Sequence, residues 1–418
     1  KTMALRTEKI LIKKNHSDYS QYKSACLLTK AIYNCANYYI RQHFFNGYLE
    51  VNWQSADKYV RMKHPKLYNS LPNQSTQSII KKLGDDWSSF YEANKAFKIN
   101  PTNFIGKPKP PKYKKKVGTF ISSFQSMKVE NNEIHFPKKM NLKPIEIISC
   151  KNQPIKAKKN NIIVKEIRIK PQNNAFFLEI VYDKKIPKNN ICLDKKNCLS
   201  IDLGINNLLT ITTNQDDLQP ILINGKVIKS INQQYNKSMA YYRHKNNHTL
   251  MNNIALKRNL AIKDIFHKIS LFVKNYCLKH NIGQVIIGKN KQWKQDINIG
   301  KINNQKFTII PFELLISFME YKLKEIGVEV VLQEESYTSK SDALAYDILP
   351  IFDKANKDKY KFKGKRKKRG LYQSSIGKLI NADVNGSLNI MRKVIGDGFL
   401  GNLINSGCVF QPIRVNLV

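Results

Sequence analysis

Three scarcities narrow this chain of 418 residues before any motif is read. Acid is short: 31 Asp and Glu stand against 71 Lys and Arg, a formal net charge of +40. Cysteine is sparse and unpaired. The seven Cys are scattered and none forms a Cys-x-x-Cys pair, so neither a disulfide framework nor a zinc knuckle is expected. Long apolar runs are missing as well. None reaches the roughly 18 residues that a membrane span needs, and the N-terminus lacks the apolar segment of a signal peptide. An intracellular, reducing location fits this pattern.

What is present is base, spread over the whole length with dense runs at Lys107–Lys116 and Lys363–Arg369. A charge this large favours a polyanion partner bound in a salt-sensitive way. Part of it also reads as a solvated lysine surface. A membrane-surface role fits less well, because no long basic amphipathic helix stands apart from a folded pattern. The length suits two or three domains with real cores.

Read in order, residues 4–13 look like a strand. From about 19 to 99 the apolar spacing turns helical: Tyr22, Cys26, Ala31 and Tyr38 recur, and Leu71-Pro-Asn-Gln-Ser opens a second helix through Ile79, Leu83 and Trp87. Aromatics interleaved with lysine are either core or a stacking surface for bases. Between Asn100 and Lys116 the prolines 101, 108, 110 and 111 keep the chain extended. Its Lys107, Lys109, Lys112, Tyr113 and Lys114 read as a linker tracking a phosphate backbone, or as a plain solvated loop. From 118 to 187 short alternating runs predict a small barrel or sandwich that also takes in the first strand, with the helical block inserted.

The second half reads differently. Leu199–Leu203 and Leu208–Thr213 form two buried β-type runs joined by a tight turn, and a long helix runs from about Asn253 to His280. Val285–Ile287 is a buried strand, Pro311 opens another helix, and Val328–Leu332 is the next strand. Asp202 sits inside the first apolar run. It is either a turn-capping residue beside Gly204 or a carboxylate that something must pair with. A second isolated acid, Asp383, opens a helical pattern far downstream. One acid on a central strand and one at a helix start suit a divalent-metal nuclease of RNase H type, on a mixed-sheet α/β core.

Five short stretches in the right order then resemble one family. They are Asp202-Leu-Gly-Ile-Asn-Asn207, Phe266-His-Lys-Ile-Ser270, Tyr321-Lys322, Tyr337-Thr-Ser-Lys340 and Asn381-Ala-Asp-Val-Asn-Gly-Ser-Leu-Asn-Ile390. Together they resemble TnpB, the transposon-encoded OrfB proteins related to type V CRISPR effectors and Fanzor. Leu71-Pro-Asn-Gln-Ser and Gly106–Tyr113 look like the family's N-terminal half. The resemblance implies an α+β multidomain fold: a small β-barrel wedge with an inserted helical recognition lobe, then an RNase H-like α/β RuvC domain. The boundaries expected are a wedge strand at 1–18, the recognition lobe at 19–115 and the wedge barrel at 116–195. The RuvC domain follows at 196–337 and 380–418, split by a nucleic-acid-binding insert at 338–379. The implied activity is RNA-guided DNA cleavage in a prokaryotic host: a transposon-end RNA pairs with double-stranded target DNA beside a short flanking motif.

Two departures from the family's pattern matter. RuvC nucleases carry a third acid, usually a Glu ending the strand written here Val285-Ile-Ile-Gly-Lys-Asn290, where this chain has Gly288. Some relatives carry a relocated Glu just before Thr-Ser-Lys, which points to Glu335, with Glu334 as the alternative. The implied site is two Mg²⁺ ions held by Asp202, Glu335 and Asp383, with Asp202 bridging. The second departure lies in the insert. The family commonly has paired Cys-x-x-Cys zinc ligands there, but this chain reads Lys340-Ser-Asp-Ala and Tyr372-Gln-Ser-Ser-Ile-Gly377. No structural zinc is therefore expected. Lys363, Lys365 and Arg366 are expected to hold this lobe against nucleic acid, or to lie in a solvated loop. The histidines, His267 included, read as structural. Competing readings are a nuclease-dead RNA-guided repressor, a conventional DNA transposase, and an RNA-binding accessory protein.

Overall fold

In the computed structural model the described residues are 3–48, 52–115, 118–123, 128–130, 133–146, 162–185, 192–289, 309–351 and 360–417. Contacts divide the chain into two units, Lys1–Lys188 and Asn189–Val418. In the first, β1 (Met3–Ile12) is followed by a helical block: α1 (Tyr19–Phe45), α2 (Trp53–Lys63), the single turn α3 (Pro65–Tyr68) and α4 (Asn73–Ile99). Strands β2 (Phe120–Ser123), β3 (Lys128–Glu130), β4 (Glu133–His135), β5 (Ile145–Glu146), β6 (Ile162–Gln172) and β7 (Ala175–Lys185) come after it. β1 pairs antiparallel with β7, Ile12 opposite Phe176, so the helices are an insertion into one sheet of order β1-β7-β6-β2.

Ile12, Phe120, Ile167, Ile169, Leu178 and Ile180 of that sheet pack on Tyr22, Cys26, Ile80, Leu83 and Trp87 of α1 and α4. Burial of these side chains contributes about 1.5–3 kcal/mol each before entropy is counted. Trp87 also satisfies its indole N–H on Asn37 Oδ1 at 2.9 Å. Among the described residues the β-part is this open four-stranded sheet and a separate three-stranded one, β3-β4-β5. Parts of the expected short strands, Phe124 and Ile148 among them, lie outside the described residues.

The second unit opens with the hairpin of β8 (Asp194–Leu203) and β9 (Asn207–Thr213), then β10 (Ile221–Asn224). Helices α5 (Lys226–His244) and α6 (His248–Lys279) follow, then β11 (Ile282–Gly288), α7 (Phe312–Lys324) and β12 (Glu329–Gln333). Three short strands, β13 (Lys365–Lys368), β14 (Leu371–Gln373) and β15 (Leu379–Asn381), form an antiparallel sheet of their own. Helix α8 (Ala382–Ile395), helix α9 (Leu400–Ser406) and β16 (Ile413–Val415) complete it.

The central sheet runs β12-β11-β8-β9-β10-β16. β8 pairs antiparallel with β9 and parallel with β11, and β11 pairs parallel with β12. The two-residue period of a strand splits β8 between two layers. Leu199, Ile201 and Leu203 pack towards Phe266 and Val273 of α6 and Phe312 and Leu315 of α7. Cys198 instead packs with Ile286 against Ile390 and Met391 of α8. One sequence expectation changes here and one element is added. The basic run at 365–368 is a strand rather than a loop, and α5 is a helix that the sequence reading did not name. Among the described residues no helix is long and apolar enough to cross a membrane.

Candidate active site

Asp202 has the same parity along β8 as Ser200, whose Oγ meets Ser387 Oγ of α8 at 2.9 Å. Both therefore face α8, on the layer opposite Leu199 and Ile201. The helix comes close there because residue 386 is glycine: a Cβ on it would sit 3.0 Å from Asp202 Oδ2. The next strand approaches from the other side. Ile287 pairs with Ile201, so Gly288 lies beside Asp202. Glu335 follows the end of β12 by two residues, and a Cβ on Gly288 would lie 2.7 Å from its Oε2. The Glu335 carboxylate thus takes the volume that a side chain at 288 would need.

Asp383 enters from the start of α8. Asn381 caps that helix, its Oδ1 accepting from the N–H groups of Asp383 at 2.9 Å and Val384 at 3.3 Å. Asn207 Nδ2 donates to Asp383 Oδ2 at 2.8 Å, and Arg366 Nη2 lies 3.6 Å from Asp383 Oδ1. Asp202 keeps some accessible surface, yet enough protein surrounds it to hold its pKa well above the usual carboxylate range. Burial is the first cause, the charges of Glu335 and Asp383 the next, with Arg366 opposing. Three acids from three segments are thus in one electrostatic neighbourhood. Among the described residues no three His, Cys, Asp or Glu side chains are gathered closely enough to hold a metal as they stand.

Glu334 is elsewhere. Its carboxylate accepts from Lys393 Nζ at 2.8 Å and from the Ser336 N–H at 2.8 Å, and these partners hold its pKa below the usual value despite burial. The turn that presents Glu335 is pinned by its own carbonyl, which accepts from Thr338 Oγ1 at 2.8 Å. Tyr337 takes a left-handed φ of 63° in that turn. Asn389 Nδ2 donates to the Thr338 and Ser341 carbonyls at 2.8 and 2.7 Å, and Asn385 Nδ2 to Ser341 at 2.8 Å. Asn385 and Asn389, one helical turn apart on α8, therefore fix the segment carrying Glu335. Sequence reading missed this pair, Asn207, and the place of Arg366 among the acids. The signal was there in part: three Asn at 381, 385 and 389, spaced by four.

A cleft of about 450 Å³ opens at the site, lined by Gly204, Asn207, Arg366, Arg369, Asp383 and Arg414 among others. Lys363 and Lys365 are exposed on the insert, and the Lys363 N–H donates to Asp347 Oδ2 at 2.9 Å. The two places where paired cysteines were expected in relatives are tied by hydrogen bonds. Asp342, buried, accepts on Oδ2 from Ser374 Oγ at 2.8 Å and from the Ser375 N–H at 2.7 Å. Lys107, Lys109, Lys112, Tyr113 and Lys114 belong to the other unit. There the extended segment is strapped along α1: Asn37 Nδ2 donates to Pro111 O at 3.2 Å, and Asn34 both donates to Lys114 O and accepts from Lys114 N. Lys107, Lys109, Lys112 and Tyr113 are exposed, whereas Lys114 Nζ sits 3.9 Å over the Tyr33 ring.

The fold, a mixed α+β multidomain chain, resembles that of one solved Cas12f1 chain. A Cas12f1 chain, solved by cryo-EM with an sgRNA and target DNA, superposes with a TM-score of 0.51 at 16% identity, covering 88% of this chain and 81% of that one. The mini-RNA-guided endonuclease Cas phi3 gives 0.45 at 9% identity over 93% and 92%, too weak a likeness to carry an argument. Residues 185–294 match the family OrfB_IS605, described as a probable transposase, and residues 312–390 match the Cas12f1-like TNB domain. Among curated proteins none matches. The matches support a TnpB-like family for this chain.

Proposed function

We propose that the chain is an RNA-guided DNA endonuclease of TnpB type, with an RNase H-like RuvC site in its second unit. The observation that carries the reading is the convergence of Asp202, Glu335 and Asp383 from strand, turn and helix start, with the charges of the latter two raising the pKa of the half-buried Asp202 after burial itself. In this reading the first unit is wedge plus helical recognition lobe, and residues 338–379 are the target-binding insert. Guide RNA and double-stranded target DNA are the partners.

The donor set fits divalent magnesium. Its groups are hard oxygens, and their mutual repulsion is what a cation would relieve. Asp202, Glu335 and Asp383 would hold the ions, which when bound supply Lewis-acid activation of water and charge stabilisation of the leaving oxygen. The chain's own residues do the rest. Asn207 and the Asn381 cap orient Asp383, Gly386 and Gly288 leave room for Asp202 and Glu335, and Asn385 with Asn389 holds the Glu335 turn. Arg366, beside Asp383, supplies positive charge where a scissile phosphate would lie.

The test is plasmid cleavage by protein co-expressed with its transposon-end RNA, on a guide-matched target beside a randomised flank, with Mg²⁺ and then EDTA. Guide- and Mg²⁺-dependent cutting abolished by Asp202→Ala, Asp383→Ala and Glu335→Gln, with binding retained, is the expected result. Full cutting by any of the three would overturn the metal assignment. Glycine at 288 favours one second reading, a guided repressor, and that reading stands if guided binding occurs with no cutting under any divalent ion.

A further inference from the structure

Several aromatics of the helical block and its strap are core, and others are open to solvent. Tyr22, Tyr33, Tyr68, Trp87 and Phe90 are buried and make the core. Tyr38, Phe45 and Tyr113 are not: they are 50%, 62% and 42% exposed. Tyr38, Arg41 and Phe45 stand three and four residues apart, on one face of α1. Tyr113 is brought to that face by the strap, whose backbone is bonded to Asn34, Asn37 and Arg41 of the same helix. The Arg41 guanidinium lies 5.1 Å from the Phe45 ring centroid and 5.4 Å from that of Tyr113, and its Nη1 donates to Pro111 O at 2.7 Å. So the arginine is held between two open rings by a backbone bond. None of Tyr38, Phe45 and Tyr113 belongs to the buried core of this unit, although Phe45 meets the Phe44 ring edge-on with centroids 5.2 Å apart.

We propose that this face is a stacking site for unpaired nucleobases, with Tyr38, Phe45 and Tyr113 presenting rings and Lys109 and Lys112 tracking the phosphates. Charge selects the occupant. No Asp or Glu occurs between residues 19 and 49, or between 93 and 129, so both walls of the site are purely basic or neutral. Open aromatic faces beside cations suit single-stranded nucleic acid, whose bases offer π-faces whatever their sequence. A duplex hides those faces. The inference rests on the nucleic-acid reading of the chain, not on its cutting.

The probe is a fluorescent oligothymidylate of about 12 nucleotides, within the usual single-strand site range. It is titrated with the full chain, freed of bound RNA by nuclease and high salt. An abasic strand of equal length and an oligouridylate serve as parallel probes. Phe45→Leu and Tyr113→Leu keep apolar bulk without a ring, and thermal melting verifies their folding. Each should weaken oligothymidylate binding roughly five- to hundredfold, the range of single base–aromatic stacks, while leaving the abasic strand and the salt slope unchanged. Lys109→Ala and Lys112→Ala should instead lower the salt slope, by about one unit per phosphate contact. Tighter oligouridylate than oligothymidylate binding would name RNA as the natural occupant, and the reverse would name DNA. Equal wild-type affinity for thymidylate and abasic strands overturns stacking while keeping the charge-driven reading. A wild-type protein indifferent to every strand overturns both and leaves the rings to a protein partner.

Discussion

Gly288 and Glu335 share one small volume, and that makes residue 288 a sensitive probe of the acid cluster. A methyl group there would meet Glu335 Oε2 at 2.7 Å and Ile390 Cδ1 at 2.5 Å, both the ends of flexible side chains. The fold can give way, so Gly288→Ala should cost at most about 1–3 kcal/mol in overpacking, yet displace the Glu335 carboxylate and cut guided cleavage at least about tenfold. Single-turnover rates beside melting curves separate the two effects. Asp202 gives a second prediction. Its carboxyl has a folded-state pKa raised above the unfolded one, so ionising it costs stability as pH rises from the unfolded value near 3.8. In EDTA at neutral pH, Asp202→Asn should therefore melt higher than wild type, by about 2–4 °C per kcal/mol of relieved repulsion. Added Mg²⁺ should raise wild type and leave the variant unmoved.

At the level of the element, α6 and α7 are joined by a polar clamp. Lys322 Nζ donates to the His267 carbonyl at 2.7 Å and to Ser270 Oγ at 2.8 Å, while the His267 ring stacks on Phe318 with centroids 4.1 Å apart. The stretches Phe266–Ser270 and Tyr321-Lys322 thus make a clamp between helices. Burial, then the charges of Lys322 and Lys263, pushes the His267 imidazole from 6.5 down to about 4. A depressed folded pKa on a base means that the unfolded chain alone takes up the proton as pH falls from 6.5 towards 4. Stability should drop across that window, and His267→Gln should flatten the drop in melts between those values. Such pairings explain what the sequence conveyed and what it hid. The α6 stripe was legible because Ile262, Phe266, Ile269 and Val273 are all core. Helix α5 was not read, although Val227, Ile228, Ile231 and Tyr235 recur at helical spacing and the first three pack at or beside the core; the Asn, Gln, Ser and Lys between them masked that stripe. β13 was hidden for a similar reason: its four residues are all exposed and basic, and it is a strand only through backbone pairing with β14. Asp202 and Asp383 stood out as acids in apolar company, whereas Asn207 and Arg366 are ordinary polar residues whose roles arise from a partner more than 15 residues away.

For the whole molecule, the balance of 71 basic to 31 acidic residues sets how it meets nucleic acid. A protein neutralising 6–10 phosphates loses about 10³–10⁵ in affinity between 50 and 200 mM salt. Guide RNA binding by filter retention should fall at least that steeply, and a flat response would mean that most of this charge is merely solvated. Nucleic acid should also accompany the protein through low-salt purification. The insert adds a consequence of a different kind. Its two halves are closed on each other by Asp342, Ser374 and the Ser375 amide, and no cysteine lies between residues 278 and 407. Closure by carboxylate and hydroxyl is indifferent to peroxide, to thiol alkylators and to zinc starvation. A cell under oxidative or metal-limiting stress would leave this closure intact.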